Sequence, residues 1–321
     1  MKAAMLSESG LIIGEAPKPE IKPNEILVRV RAAALNRADL LMSDGRMHGK
    51  LGGAGAIAGL EWAGEVAEIG SDAAEFKPGE RVMCSGAGGY AEYAATDWGR
   101  ASPVPSADMS FEHAATLPIA LQTMHDALVG NGRLRAGETV LIQGASSGVG
   151  LMGLQIAKYL GAKIVIGTSR DAGRRARLKD FGADMAVDPG DPAWPDAVAE
   201  ATGGVDLIVD QVSGGVANDN MKAARVLGRI VNVGRLGGFS GDFDYDLHAL
   251  KRIQYIGVTF RTRSIEEVRE INRNMRADLW PAVQDGTLHL PLDRVFPLAE
   301  AAAAQDHMRA NAYLGKIVLT V

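Results

Sequence analysis

The chain holds a single cysteine, Cys84, among its 321 residues. One thiol forbids an intramolecular disulfide and a four-cysteine zinc lobe, and it reads as a small buried hydrophobe. No run of 18 apolar residues occurs, so no helical membrane span is expected. The opening "MKAAMLSESG" lacks the apolar stretch of a secretory signal, and a cytoplasmic protein is the expectation. Positive charge is also short: 34 Lys and Arg stand against 39 Asp and Glu, for a net charge of −5. The densest basic run, Arg174-Arg175-Ala176-Arg177, covers four positions. No basic stripe is present, so a nucleic-acid partner is not expected.

What is present is a change of rhythm. The first hundred residues read as β structure broken by turns. "EILVRVRAAAL" (25–35) alternates apolar and polar residues, and "EWAGEVAEIG" (61–70) and "ERVMCSG" (80–86) are further short strands. The glycine-rich stretch 43–59 has no periodicity and reads as a long loop of the kind that carries function. From about residue 120, apolar runs alternate with helical patterns. Strands are expected over 138–143, 163–169, 184–188, 205–212, 229–234 and 254–260, and helices over 148–161, 171–182, 192–202 and 214–227. That is a series of parallel βαβ units, with the six strands of a doubly wound nucleotide-binding sheet. Amphipathic helices over 264–279 and 299–311 and a closing strand "GKIVLTV" return the chain to mixed structure, and the two outer pieces are expected to form one domain.

The stretch "LIQGASSGVGLMG" (141–153) runs strand, tight turn, helix. Such a turn lets the backbone approach a pyrophosphate, which the helix N-terminus then faces with unpaired N–H groups. Against G-x-G-x-x-G the chain reads Ala145, Ser146, Ser147, Gly148, Val149, Gly150, so two of three glycines are replaced. The same letters occur in short-chain dehydrogenases, which carry the turn near the N-terminus and a Tyr-x-x-x-Lys about 140 residues on. Here 140 residues precede the turn, and the lone Tyr-x-x-x-Lys, Tyr159 to Lys163, lies on the first helix.

The whole chain resembles the medium-chain dehydrogenase/reductase superfamily, and within it the zinc-free quinone oxidoreductases. The resemblance rests on "AALNRADLLMSDGRM" (33–47), "GLEWAGEVAEIGS" (59–71), "FKPGERVM" (76–83), "GASSGVGLMGLQIAKYLGAK" (144–163) and "GKIVL" (315–319). It implies an α/β chain with a Rossmann doubly wound parallel sheet inserted in a GroES-like β-barrel domain, and an active site in the cleft between them. The expected pieces are 1–119 and 261–321 for the GroES-like substrate domain and 120–260 for the NADP-binding domain. Zinc-dependent relatives carry a cysteine where this chain has Asn36, and a histidine where it has Leu60 before Glu61. Neither asparagine carboxamide nor leucine is a useful zinc ligand, so no metal is expected.

The strand "KIVIGTSR" ends in Thr168, Ser169 and Arg170; Ser169 stands where NAD-dependent relatives place an acid, and Arg174 lies four residues on from Arg170. Arginine forks match phosphate oxygens, so NADPH is the expected cofactor. The resemblance adds Thr123, Gly234, Arg235, Phe260, Arg261 and Lys316 as cofactor contacts, beside Ala145, Ser146, Ser147, Gly148 and Val149 of the turn. It implies hydride transfer to a small-molecule quinone or to the carbon–carbon double bond of an α,β-unsaturated carbonyl. Asn36 is the candidate catalytic donor to the developing oxyanion. Met47, His48 and Tyr90 are candidate substrate contacts, although relatives place a tyrosine in the 43–59 loop and this chain does not. An enoyl-thioester reductase and a non-catalytic, crystallin-like NADPH-binding protein stay open as alternatives. The apolar strand near "QYIGVTF" lies at the sheet edge in relatives, and a homodimer is expected.

Overall fold

The computed structural model describes residues 1–8, 10–73 and 75–321. The chain opens with an antiparallel hairpin of β1 (Lys2–Ser7) and β2 (Gly10–Glu15). There follow β3 (Glu25–Ala34), α1 (Arg37–Ser43), β4 (Glu61–Ile69), β5 (Arg81–Ser85), β6 (Tyr93–Asp97) and β7 (Ala101–Pro103). Two short helices, α2 (Phe111–Ala115) and α3 (Pro118–His125), lead through a π-helical turn into β8 (Thr139–Ile142). From there strand and helix alternate: α4 (Gly148–Tyr159), β9 (Ile164–Thr168), α5 (Ala172–Arg177), β10 (Met185–Val187), α6 (Trp194–Thr202), β11 (Val205–Asp210), α7 (Ala217–Ala223), β12 (Ala224–Asn232), α8 (Tyr245–Lys251) and β13 (Gln254–Gly257). The return is α9 (Ile265–Gln284), β14 (Leu292–Pro297), α10 (Ala301–Arg309) and β15 (Lys316–Thr320).

Two compact units result. Residues Met1–Ile119, Phe260–Gln284 and His289–Val321 form the first, and Ala120–Thr259 with Asp285–Leu288 the second. The second unit carries a six-stranded, all-parallel sheet in the order β10-β9-β8-β11-β12-β13, the doubly wound arrangement in which the chain reverses direction at its first strand. Its central strands are buried on both faces and apolar through their middles, "VLI" in β8 and "LIV" in β11.

The first unit is built on a seven-stranded sheet in the order β14-β15-β3-β4-β5-β7, with β6 also paired to β3. Strand β15 runs antiparallel to β3, with Val318 opposite Ala34, and β4 pairs on the other side, with Glu61 opposite Ala34. Three segments far apart in sequence therefore meet at one strand end. The core beneath contains the fully buried Trp62, Tyr90 and Ile26.

The pattern-based boundaries shift in several elements, and two of the shifts have a plain reason. The helix expected to run to residue 227 stops at Ala223, because Ala224 turns extended and pairs with Val205 of β11. Long-range sheet pairing there overrides local helix propensity. The strand expected over 254–260 ends at Gly257, because its partner β12 ends at Asn232.

Register between β3 and β4 slips between Val30 and Ala32, and at this point the two backbones press together. A Cβ on Gly64 would stand 2.0 Å from the carbonyl oxygen of Arg29. Gly64→Ala must push the strands apart, and overpacking of this kind costs roughly 1–3 kcal/mol. The urea midpoint of the variant is expected to fall accordingly. An unchanged midpoint would show that the β3–β4 contact yields freely.

Candidate functional site

The glycine turn of the second unit is explained by its contacts. Gly144 has φ +68°, a left-handed conformation that suits glycine. A Cβ on Gly150 would lie 2.6 Å from the Cα of Ala145, so the third glycine allows helix and strand to close on each other. Ser147 stands where a second glycine is usual because it is the N-cap of α4. Its backbone is extended, and its hydroxyl accepts from the Gly150 N–H at 3.0 Å. Ala145 is fully buried, and its N–H donates to the Thr168 carbonyl at 2.9 Å. The first N–H groups of α4, on Gly148 and Val149, point out of the helix end as all such groups do.

A buried polar chain that the sequence reading missed supports this turn. Thr168 Oγ1 donates to Gln143 Oε1 at 2.7 Å and accepts from the Gly144 N–H at 2.9 Å. Gln143 Nε2 donates to Asn220 Oδ1 at 2.7 Å, and Gln211 Nε2 donates to the Gln143 carbonyl at 3.0 Å. The Ser147 hydroxyl faces Gln211 Oε1 at 3.2 Å. Gln143 and Gln211 lie at the carboxyl ends of β8 and β11, and Asn220 reaches them from α7. A polar residue closing an apolar run was the one signal that could have marked them.

At the end of β9, Ser169 is buried and donates to the Ser146 hydroxyl at 3.1 Å. Asp171 does not serve as the missing acid. Its carboxylate caps α5, accepting from the Arg174 N–H at 2.7 Å, and lies 3.6 Å from Arg174 Nε. Those donors hold its carboxyl below the usual range. Arg170 is exposed. Arg175, which the sequence reading passed over, braces the strand end by donating to the Ser169 carbonyl at 2.7 Å and to Asp188 at 3.0 Å. Gly234 and Arg235 follow β12 and are half-buried, and Thr123 is half-buried on α3. A Cβ on Gly234 would lie 2.5 Å from the Gln211 carbonyl oxygen.

In the first unit, the meeting of β3, β4 and β15 assembles a buried polar cluster. Lys316 Nζ donates to the Leu35 carbonyl at 3.0 Å, to Asn36 Oδ1 at 3.1 Å and to Glu61 Oε1. Asn36 Nδ2 donates to the same Glu61 oxygen at 2.9 Å, and Glu61 Oε2 accepts from the Ile119 N–H at 2.9 Å. The other contact of Asn36 Nδ2 is a long one, 3.5 Å to the Ala34 carbonyl. Burial pushes the Glu61 carboxyl up, and the Lys316 ammonium pulls it back. Beside this, Asp39 Oδ2 accepts from the Asn36 N–H at 2.7 Å and from the Tyr90 hydroxyl at 2.8 Å. Asp39 Oδ1 is buried without a partner.

Two expected contacts are corrected by this cluster. Tyr90 is wholly buried with its hydroxyl spent on Asp39, so it offers nothing to a substrate. Lys316 is 4% exposed with its ammonium spent on three acceptors, so it is an internal brace and not a cofactor contact. Met47 is exposed, and His48 is half-buried with its backbone paired to Leu51. Gly49, at φ +67°, is packed so that a Cβ would meet the Arg261 carbonyl oxygen at 3.0 Å. The 43–59 loop therefore lies against the Phe260–Arg261 segment. Burial, with Arg261 nearby, pushes the His48 ring below its usual value.

Residues 148–276 match the family model described as zinc-binding dehydrogenase, and residues 22–106 match the alcohol dehydrogenase GroES-like domain. A solved structure described as a probable oxidoreductase from Mycobacterium abscessus is 31% identical with a TM-score of 0.85, covering 100% of this chain and 99% of that one. The chain belongs to the medium-chain dehydrogenase/reductase superfamily. Quinone oxidoreductase of Rattus norvegicus is 28% identical over 94% of this chain and 90% of that protein. Highly reducing polyketide synthase 40 of Fusarium pseudograminearum is 28% identical over 94% of this chain, but this chain spans 12% of that protein's length.

The chain is thus a quinone-oxidoreductase-like member of the superfamily, and its second unit is a Rossmann-type sheet of the kind that binds a nicotinamide cofactor. The glycine turn fits that cofactor: Gly144 and Gly150 clear the backbone, and the α4 N-terminus faces the turn. A catalytic zinc does not fit the residues present. Leu60 has no donor atom, and the carboxylate of Glu61 is occupied by the Lys316 ammonium, a cation already in place. Among the described residues, no three His, Cys, Asp or Glu side chains converge on one point.

Burial pushes the Asp39 carboxyl up to about 7, against an ordinary 3.8. The neutral form then stabilises the fold fully below pH 3.8, and that contribution is lost as pH rises through about 7. Asp39→Asn keeps an acceptor for Asn36 and Tyr90 and cannot ionise. The variant is therefore expected to lose less stability than the parent between pH 4 and pH 7, by about 3 kcal/mol. Urea unfolding across that range checks this; parallel curves would assign the titration elsewhere.

Proposed function

We propose that the chain is a zinc-independent, NADPH-dependent reductase acting on a quinone or on the double bond of an α,β-unsaturated carbonyl. The observation that carries this reading is the Glu61–Lys316 pair beside Leu60, which leaves no ligand set for a metal that could polarise an alcohol or a ketone. The acceptor must then delocalise incoming charge itself, as quinones and enones do. Bound reduced nicotinamide supplies the hydride.

Asn36 has one amide hydrogen on Glu61 and a second held only by the long contact to Ala34. That second hydrogen is the donor for charge developing on the substrate oxygen. Glu61 and Lys316 hold the carboxamide at both its atoms and so set its orientation. Met47 and His48 contribute loop surface for the substrate. His48, pushed toward its neutral form, leaves water as the proton source. On the cofactor side we assign the pyrophosphate to Ala145, Ser146, Ser147, Gly148 and Val149. The 2′-phosphate goes to Ser169, Arg170 and Arg174, and the nicotinamide end to Thr123, Gly234, Arg235, Phe260 and Arg261. Strand β13 ends the parallel sheet, and its open edge supports a homodimer formed by pairing with a second copy. A cytoplasmic location accords with the lack of a helix long and apolar enough to cross a membrane among the described residues.

A second reading, an enoyl-thioester reductase, is favoured by the matches inside polyketide synthases, of which the chain spans 5% to 14%. NADPH consumption with quinones, small enones and enoyl-CoAs separates the two. Faster turnover of quinones or enones is expected, and faster turnover of enoyl-CoAs supports the second reading. Tight NADPH binding without turnover would overturn both in favour of a binding protein.

Arg170→Ala with Arg174→Ala removes two charge-assisted phosphate contacts. Each is worth roughly 1.5–3 kcal/mol, so KM for NADPH is expected to rise at least about tenfold and KM for NADH to change little. Equal effects on both cofactors would remove the arginines from the assignment.

A further inference from the structure

The second unit has a second feature at the amino ends of its strands, the end of the sheet opposite the glycine turn. A groove of about 360 Å³ lies among Arg133 and Arg135 before β8, Arg225, Leu227 and Arg229 in β12, and Gln254 at the start of β13. Four guanidinium groups meet two carboxylates there, in a chain whose overall charge is −5. Both carboxylates are already used. Glu138 binds Arg229 at 2.6 Å and the Arg135 N–H at 2.9 Å, and Asp206 binds Arg225 at 2.8 Å and the Thr139 N–H at 2.9 Å.

That leaves two guanidinium groups without a counter-charge. Arg133 donates to the neutral carboxamide of Gln254, and Arg135 reaches no carboxylate among the described residues. Arg229 Nε is a buried donor with no acceptor, and buried donors in folded proteins are nearly always satisfied. The backbone gives an independent indication. Arg133, at φ +51°, closes the helical turn before β8 with its N–H on the Val129 carbonyl. Leu227, by contrast, adopts φ of +65° and is one of the five non-glycine residues in the described chain with positive φ. Such conformations cost on the order of 1–3 kcal/mol each and gather at ligand clamps. Leu227 is also 61% exposed at the groove, which shows that burial does not impose its conformation.

We propose that this groove is a binding site for a small multivalent anion, one whose adjacent phosphate or carboxylate oxygens bridge Arg133 and Arg135. Planar guanidinium forks recognise paired anionic oxygens, and two uncompensated forks select a ligand of at least two charges. The site does not depend on the reaction proposed above, because it lies at the other end of the sheet from the pyrophosphate turn.

Calorimetric titration of the purified protein with inorganic pyrophosphate and with citrate, at constant ionic strength, tests the proposal. For at least one probe a saturable site that persists in R170A/R174A is expected, and the probe that binds there identifies the anion as phosphate or carboxylate. The exposed pair R133Q/R135Q is expected to weaken binding at least tenfold, while R170A/R174A at the other end leaves it unchanged. Lack of saturation at millimolar probe overturns the proposal. Binding that survives R133Q/R135Q, or that is lost in R170A/R174A, also overturns it.

Discussion

Two charges sit in the first unit where almost no water reaches them, and the candidate catalytic region depends on their staying paired. Glu61 is 0% exposed and Lys316 4%. Taking two ions out of water costs several kcal/mol each, and their attraction offsets this only with good geometry and additional hydrogen bonds. Both conditions are met. Lys316 reaches the Leu35 carbonyl and Asn36 as well as Glu61, and Glu61 takes the Asn36 amide and the Ile119 N–H. Such pairs contribute little net stability when intact and cost roughly 3–5 kcal/mol when one member is removed. The pair thus works as a constraint. It draws the last strand onto the third and holds the Asn36 carboxamide in one orientation.

The same pair decides which chemistry the site can host. A carboxylate already bearing an ammonium is a poor metal ligand, and Leu60 beside it offers no donor. In the second unit the constraint is steric. Gly150 allows the α4 helix to start against Ala145, and Ser147 supplies the cap that a glycine could not. Replacing a flexible residue by a capping one stiffens the turn before any ligand arrives, which lowers the ordering cost of binding. The Gln143 and Gln211 amides and the Thr168 hydroxyl hold that turn from beneath, and Arg175 holds the adjoining end of β9.

Much of this was legible in the residues. The alternation of apolar runs and helical patterns after residue 120 is a local property, and it announced the six parallel strands. The turn at 144–150 was legible because strand, glycines and helix are contiguous. At Ala223 pairing with a distant strand outweighs local preference, and at Gly257 the strand stops because its partner β12 ends at Asn232. Tyr90 and Lys316 were misread for a related reason. Nothing in "GGYAEY" or "GKIVL" says that the side chain turns inward, because the partners, Asp39 and Glu61, lie 51 and 255 positions away.

The sequence by itself determined the order of elements, the dinucleotide turn, the missing acid at Ser169 and the missing metal ligand at Leu60. Each of these is carried by adjacent residues or by one residue's own chemistry. Tertiary structure alone decided which polar groups are spent on one another and which remain available. Asn36, Glu61 and Lys316 come together because β15 pairs with β3 and β3 with β4. The four arginines come together because β8, β11, β12 and β13 align their amino ends. Hydrogen bonds and ion pairs act over a few ångströms of space, and only the folded sheet converts distance along the chain into that proximity.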